Sequence, residues 1–364
     1  MNGVRPFVEA DVPQVADLHR RVFRGGDRQA AATGWLETYR TYFSRVFLNE
    51  RVTRGTPASL VFESEGRILG FLGVMPRRMR FKGRPILMAV CSQFAVDPAG
   101  RGQVGLRMLK HCLQGPQDLS VTDEAADSTR KLWEWCGGGA VLPYSMRWIR
   151  PLRPARLIVS LVAGSRRAAL LASVSAPFAR IADGVIGKLG PAALRVDPPR
   201  GTREQMDAPA FQSCLADAIG DRSLVPEYDS LSTDWAFERA NRRTGVDIVR
   251  TIAVRDDDRA VSGGFVYCIG RDKLAEVLHV SARPQAIGHV LDHLFDDAMR
   301  QGAAAVTGRM EPAIDAALAD RRSLFYRGGP WTLVHSRRPD VRHAILSGDA
   351  FLTRLEGEWC LRFP

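Results

Sequence analysis

Apolar and polar positions along the chain follow two periods, and the switches between them mark its elements. Residues 4–8 read as a short strand, after which Asp11 is placed to cap a helix with Pro13 in its first turn and Val15, Leu18 and Val22 on one face. Two period-2 stretches, Ser59-Leu-Val-Phe-Glu63 and Ile68-Leu-Gly-Phe-Leu-Gly-Val74, flank Ser64-Glu-Gly-Arg67 and predict a hairpin. Residues 79–81 and 85–96 continue the meander through a turn at Lys82-Gly-Arg84, and it stops at Asp97-Pro98. Helical spacing returns over 104–113, with Leu106, Leu109 and Leu113 on one side. A strand, Leu119-Ser-Val-Thr122, and a helix over 127–136 follow; Gly137-Gly-Gly139 stops the helix, and 141–149 reads as a returning strand. One mixed α/β unit is therefore expected to end near residue 150.

The second half repeats this pattern. Arg259-Ala-Val-Ser-Gly-Gly-Phe-Val266 answers Arg67-Ile-Leu-Gly-Phe-Leu-Gly-Val74, Glu276-Val-Leu-His-Val280 answers the strand ending at Val96, and residues 287–299 answer the helix beginning at Val104. Ala304-Ala-Val-Thr307 matches Leu119-Ser-Val-Thr122, and Phe325-Tyr-Arg-Gly-Gly-Pro330 stands where Trp133-Glu-Trp-Cys-Gly-Gly138 stood. Between the halves, residues 151–200 are dominated by Ala, Leu, Val and Arg, broken at Pro177 and closed by Asp197-Pro-Pro-Arg-Gly201. The expected architecture is an α/β (α+β, mixed-sheet) tandem: domain 1–150, a helical connector 151–200, and a second domain 201–364. The connector reads as two helices packed on the domains. Its alternative is the wall of an acyl-chain tunnel or an interfacial amphipathic element, with Arg166 and Arg167 resting on lipid headgroups.

A length of 364 residues suits two domains, and 45% hydrophobic with 25% charged residues excludes wholesale disorder. No apolar run approaches the roughly 20 residues of a membrane-spanning helix; the longest, from Leu157 to Leu171, is interrupted by the Arg pair. The first residues lack a basic segment followed by an apolar one, so the cytoplasm is the expected location. Six scattered cysteines without a Cys-x-x-Cys exclude a zinc ribbon or a disulfide scaffold. His289 and His293 have zinc spacing but no third ligand in a protease pattern, and no metal is expected. The net charge of +11 suits nucleic acid, an anionic membrane surface, or a phosphorylated or acidic partner such as coenzyme A or a carrier protein. Only five of the 51 basic residues are lysines, and the arginines are spread along the chain, as GC-rich codon usage produces. No helix-turn-helix, zinc-finger or RNA-recognition signature turns the charge into a nucleic-acid interface, so none is expected.

The chemistry concentrates in Phe94-Ala-Val-Asp-Pro-Ala-Gly-Arg-Gly-Gln-Val-Gly-Leu-Arg-Met-Leu109. A strand feeds a glycine-rich turn that opens a helix, which aims several backbone N–H groups and the positive end of the helix dipole at one spot, a site for phosphate. Arg101 supplies a counter-charge at its rim. The spacing is neither a Walker motif nor the Gly-x-Gly-x-x-Gly of dinucleotide folds.

Val96-Asp-Pro98 followed by Arg101-Gly-Gln-Val-Gly-Leu106 resembles the Val-x-Pro strand and Arg-Gly-x-Gly-x-Gly turn of the GNAT superfamily of acyl-CoA N-acyltransferases, here in a tandem two-domain form. The order of elements fits that fold from residue 4 to about 150. The resemblance implies that the amides of Arg101, Gly102, Gln103, Val104, Gly105 and Leu106 hold the CoA pyrophosphate. It also implies that Phe94, Ala95 and Val96 pair with the pantetheine arm like an added strand. The match departs from the motif at Val104, which either replaces a glycine or marks the deletion of a residue between Gln103 and Gly105, and either change reshapes the loop.

The resemblance further implies a base on the strand before the loop, but Met88-Ala-Val-Cys-Ser-Gln-Phe-Ala-Val96 has no carboxylate. Ser92 and Gln93 are candidates to order a water, and Asp123 and Glu124 to lie near the cleft. The thiolate-protonating tyrosine of the family is matched by Trp133, which cannot donate a hydroxyl proton. Positioning alone can carry aminolysis of an activated thioester. In the second half, Ser281-Ala-Arg-Pro-Gln-Ala-Ile-Gly288 has lost the motif and Pro284 removes an amide, so no CoA is expected there. That degenerate domain is expected to complete an acceptor or acyl pocket, with Tyr326 as its polar contributor or, alternatively, as a core tyrosine. The end, Phe351-Leu-Thr-Arg-Leu-Glu-Gly-Glu-Trp359, reads as an edge strand and turn similar to the tail of bacterial tandem GNAT-like proteins.

The first expectation is an N-acyltransferase moving an acyl group from acetyl-CoA or a longer acyl-CoA to a small amine. The alternatives are an N-acyl amino acid synthase-like enzyme using acyl carrier protein, and a non-catalytic binding module.

Overall fold

At the first predicted hairpin turn, Glu65 and Gly66 have φ of 52° and 75°, and at the second, Lys82 and Gly83 have 50° and 76°. Positive φ at both central residues gives the mirror-image turn whose twist matches the flanking strands, and it favours glycine at the second position. These turns belong to a computed structural model that describes residues 3–23, 34–49, 57–100, 103–162, 196, 198–241 and 245–363. The chain divides into two units: Met1–Ser145 with Arg222–Leu231 and Gly329–Pro364, and Met146–Asp221 with Ser232–Gly328.

Unit 1 is built on β1 (Gly3–Pro6), β2 (Leu60–Ser64), β3 (Arg67–Phe81), β4 (Arg84–Val96), β5 (Leu119–Ala125) and β6 (Gly139–Ala140), joined by β9 (Leu224–Pro226) and β15 (Trp331–His335). Its order is β1-β2-β3-β4-β5-β15-β6, with β9 alongside β3. Pro76 pairs with Ala89 of β4, and on the other side of β3, toward which the Val74 N–H points, it lies between Leu72, the last partner of β2, and Met79, the first partner of β9, where no strand needs its missing N–H. The helix Gln103–Leu113 packs Val104, Met108, Leu109, Cys112 and Leu113 against Leu72, Val74 and Ala89. Around Phe71, the rings of Phe7, Phe43 and Phe47 meet it edge-on with centroids 5.1, 5.3 and 5.7 Å away.

Unit 2 contains β7 (Met146–Pro151), β8 (Thr202–Gln205), β10 (Val246–Arg255), β11 (Val261–Gly270), β12 (Leu274–Ala282), β13 (Ala305–Arg309) and β14 (Leu324–Arg327), in the order β14-β7-β13-β12-β11-β10-β8. The helix Ile287–Arg300 buries Val290, Leu291, Leu294 and Phe295 in one core with Tyr267, Ile269, Ala275 and the β7 residue Trp148. The internal repeat is plain in the topology. Among the described strands, each unit has one parallel pair, β4 with β5 and β12 with β13, and each pair is three residues long. Each strand leading into that pair carries a bulge against its antiparallel neighbour.

The units are not the contiguous segments 1–150 and 201–364. The strand expected over 141–149 is instead β6, a short helix Leu142–Ser145, and β7, which pairs with β13 and β14 in unit 2. Reciprocally, β15 from the second half inserts between β5 and β6 of unit 1. Residues 325–330 do not match the end of the helix Asp127–Trp135: they begin in β14, and the helix after β13 is Asp315–Asp320. Of the connector, a helix Pro154–Val162 is present; the remainder expected to be helical, including Arg166, Arg167 and Pro177, lies outside the described residues. Among the described residues, no helix is long and apolar enough to cross a membrane.

The chain end is not an edge strand. Residues 350–361 run through turns into the short 3-10 helix Glu358–Leu361, and every one of them is buried. The Tyr42 hydroxyl donates to the Leu361 carbonyl and the Tyr144 hydroxyl to that of Ala350, at 3.1 Å. Glu356 is held by the Tyr228 hydroxyl at 2.6 Å and by the backbone N–H and hydroxyl of Thr353. Burial raises the pKa of the Glu356 carboxyl and these donors oppose the rise.

Phe351, Leu352, Leu355 and Leu361 are each worth about 1.5–3 kcal/mol on burial, together of the same order as the whole stability of a domain. A chain stopped after Gly328 is expected to lose the cooperative unfolding transition of unit 1, read by near-ultraviolet circular dichroism and calorimetry. An unchanged transition would contradict this account.

Candidate active site

Pairing of β4 with β5 stops after Val90 and Val121, although β4 runs on to Val96 and β5 to Ala125. The parting strands leave a cleft of about 400 Å³ within unit 1. Ser92, Gln93 and Phe94 of β4, Thr122 and Glu124 of β5, Trp133, and His19 line it, together with Glu358, Arg362 and Phe363 from the chain end.

On β4, Phe71 pairs with Ala95 but Gly73 pairs with Ser92, so Leu72 faces two residues, Gln93 and Phe94. Gln93 takes φ of 53°, a left-handed conformation that costs a side-chain-bearing residue energy unless its surroundings hold it there. His19 supplies that hold: its Nε2 donates to Gln93 Oε1 at 2.7 Å, and its Nδ1 accepts from the Tyr39 hydroxyl at 2.9 Å. Cys91, next to the bulge, lies with its sulfur 3.7 Å from that of Cys112, and this contact together with burial pushes its thiol pKa up.

On β5, the carboxyl group missing from β4 is supplied by the chain end. Glu358 Oε1 accepts from the Thr122 hydroxyl and from the backbone N–H groups of Asp123 and Glu124, each at 3.0 Å. The Glu358 N–H in turn donates to Asp123 Oδ1 at 2.7 Å. Glu358 is only 6% exposed. Burial, reinforced by the charges of Asp123 and Glu124, pushes its pKa up to about 8, against the pull of the Thr122 and Ser92 hydroxyls. The approach requires a glycine beside it: a Cβ on Gly357 would stand 2.2 Å from Asp123 Oδ2.

The expected site residues separate accordingly. Ser92, Gln93, Phe94, Glu124 and Trp133 come together in the cleft. Glu124 is paired with Arg354 at 3.1 Å and with Arg362, so its charge is already matched. Asp123 is buried against the chain end instead of lining the cleft. Ala95 is buried, and Ala95 and Val96 pair with Phe71 and Gly70 on their β3 side. Gln103, Val104, Gly105 and Leu106 form the first turn of the helix Gln103–Leu113. The Val104 side chain, which departs from the motif, turns into the core against Gly70 and Gly100. Arg101 and Gly102 lie outside the described residues. Tyr326 is not a core residue: it is 41% exposed on β14 in unit 2. His293 spends its Nε2 proton on the Arg200 carbonyl at 2.7 Å, and among the described residues no three His, Cys, Asp or Glu side chains are grouped to hold a metal.

Sequence reasoning missed Glu358, Arg362 and His19. The signal for the first was present, because two carboxylates within Phe351-Leu-Thr-Arg-Leu-Glu-Gly-Glu-Trp359 would be buried if that apolar run is buried, and buried carboxylates need donors.

Residues 3–115 match the family model described as the acetyltransferase (GNAT) domain. No curated protein matches the chain. Among solved structures, a GCN5-related N-acetyltransferase from Anabaena variabilis superposes with a TM-score of 0.59 at 11% identity, over 93% of this chain and 74% of that one. A probable N-acyltransferase from Enterococcus faecalis gives 0.56 at 11%, over 92% and 72%. A GCN5-related N-acetyltransferase from Kribbella flavida gives 0.53 at 14%, over 92% and 70%. Residues 3–115 thus match the GNAT acetyltransferase domain model, in a chain of two mixed α/β sheets whose fold is shared with GCN5-related N-acetyltransferases.

Proposed function

We propose that the protein is an acyl-CoA-dependent N-acyltransferase whose donor binds in unit 1 and whose acceptor is a small amine. The observation that carries this reading is the parting of β4 from β5 directly before the helix Gln103–Leu113. From Cys91 to Val96 the β4 backbone has, among the described residues, no strand partner on its β5 side, so an extended amide-containing chain such as pantetheine can add to it. After that strand, the first turn of the helix presents backbone N–H groups without intrahelical acceptors, suited to a pyrophosphate, and its Gly105 lies beside Phe94 and Val96. The acyl carbon would then lie at the Gln93 bulge, inside the cleft, where the acceptor enters.

Unit 2 is read as having one use fewer. At the start of its corresponding helix, the space beside Gly288 is filled by Arg321, whose Nη2 would stand 2.5 Å from a Cβ there. Arg321 is locked by Asp292 through two bonds of 2.7 and 2.8 Å. A cation bound to its own carboxylate, set where a pyrophosphate would lie, supports a single donor site per chain.

Calorimetric titration with CoA and acetyl-CoA is expected to give one site per chain, and ligand at a hundredfold its dissociation constant should stabilise the fold by about 2.7 kcal/mol in thermal melts. Arg101→Glu should weaken binding about tenfold or more, by setting like charges together. Stabilisation by acyl carrier protein alone would replace the donor assignment, and no stabilisation by any thioester would overturn it. Two CoA sites would overturn the reading of Arg321.

A further inference from the structure

The reading of the cleft as a thioester site leaves the acceptor's proton without a destination, because β4 carries no carboxylate and Glu124 is already paired with two arginines. We propose that Glu358, carried into the cleft by the far end of the chain, is the catalytic base that takes the proton of the acceptor amine. The proposal rests on unit 1 binding the donor.

The placement is specific. Oε1 of Glu358 accepts from the Thr122 hydroxyl and two β5 backbone N–H groups, which hold the group against β5, and the side chain lines the cleft together with Ser92 and Gln93 of β4, the Ser92 hydroxyl acting on the same carboxyl. Two backbone N–H donors and a hydroxyl can stabilise the carboxylate when it forms, so the group can cycle between its two states without moving. Its surroundings hold it near neutrality: Asp123 and Glu124 on β5 and burial raise its pKa, while Thr122 and Ser92 lower it. The other titratable or charged groups lining the cleft are His19, engaged at both ring nitrogens, Cys91, and Arg362, engaged with Glu124. A base poised near the working pH is the most effective one.

The step balances as follows. The acceptor arrives as an ammonium and gives one proton to the Glu358 carboxylate. The resulting amine nitrogen bonds to the acyl carbon, the carbon–sulfur bond breaks, and the second amine proton leaves with the thiolate as CoA thiol. Glu358 then releases its proton to water.

The test is release of CoA thiol from acetyl-CoA by the full-length protein, with primary alkylamines and with hydroxylamine, which is already uncharged at neutral pH. In the parent, turnover with alkylamines should rise with pH and level off above about pH 8. Glu358→Gln should lower kcat with alkylamines about 100-fold or more, remove that limb of the profile, and spare hydroxylamine; CoA affinity should stay within about twofold. Gly357→Ala, which displaces the chain end from Asp123, should lower kcat in the same way with donor affinity kept. A second readout needs no turnover. A carboxyl group whose native pKa is raised is protonated in the fold while the unfolded chain has already ionised, so stability falls as pH rises from about 4.5 to 8. That fall should be smaller in Glu358→Gln. Unchanged alkylamine turnover in Glu358→Gln overturns the proposal, as does an equal loss with hydroxylamine, or a parent that binds acetyl-CoA yet releases no thiol to amine, hydroxylamine or water. Absence of CoA binding in the parent would instead defeat the donor assignment.

Discussion

Everything at the site follows from the end of a three-residue ladder. Once β4 and β5 part after Val90 and Val121, each strand has an edge whose polar groups must find partners away from the other. The two edges are satisfied differently. On β5, the N–H groups of Asp123 and Glu124 are taken by Glu358 from the same chain. On β4, the residues from Cys91 to Val96 have β3 as their strand neighbour and, among the described residues, none on the β5 side. The cleft is thus a sheet defect, half filled permanently and half kept open.

The permanent half also explains why so much of the chain end is buried. A single glutamate could not be held between two strands by its own bonds, because desolvating a carboxyl costs more than three hydrogen bonds return. Its position is secured by the apolar contacts of Phe351, Leu355, Trp359 and Leu361, and by the Glu356, Tyr228 and Thr353 network beneath them. Gly357 permits the last approach. Stability and chemistry are therefore drawn from one segment, and the aromatic rings of Tyr39 and Tyr42 continue that packing onto Phe363 at 4.2 and 5.0 Å.

The sequence made the local elements legible because turns and helix starts depend on nearby residues. Glu65-Gly66 and Lys82-Gly83 carry their own geometry, and the helix after Pro98 opens within a residue of its expected start. Helix faces were legible in part: Leu109 and Leu113 are buried as expected, Leu106 is only half-buried, and Val104, Met108 and Cys112 complete the buried face. What the pattern did not disclose was long-range exchange. The apolar residues of β7 look alike whether the strand closes its own sheet or another, and no local rule distinguishes the two. The core alternative for Tyr326 and the edge strand over 351–359 failed for the same reason, since burial on an edge strand or in an irregular segment is decided by partners far away in the sequence. The glycine-rich turn after Pro98 stands out as a motif because its residues are adjacent in the sequence, whereas Glu358 was hidden because the residues it bonds lie some 235 positions earlier.

The exchange of β7 and β15 sets an order of events during synthesis. After Ala125 leaves the ribosome, the β5 edge that β15 will cover stays unpaired until His335 emerges, about 200 residues and 10–40 s later at bacterial-like elongation rates. Through that interval the nascent chain carries an open strand edge, the feature most prone to mispairing. The carboxyl group that completes the cleft emerges later still. A chain interrupted before residue 331 would therefore hold the glycine-rich turn but neither a covered β5 edge nor Glu358, so closure of the sheet and completion of the cleft both wait on the segment 331–363.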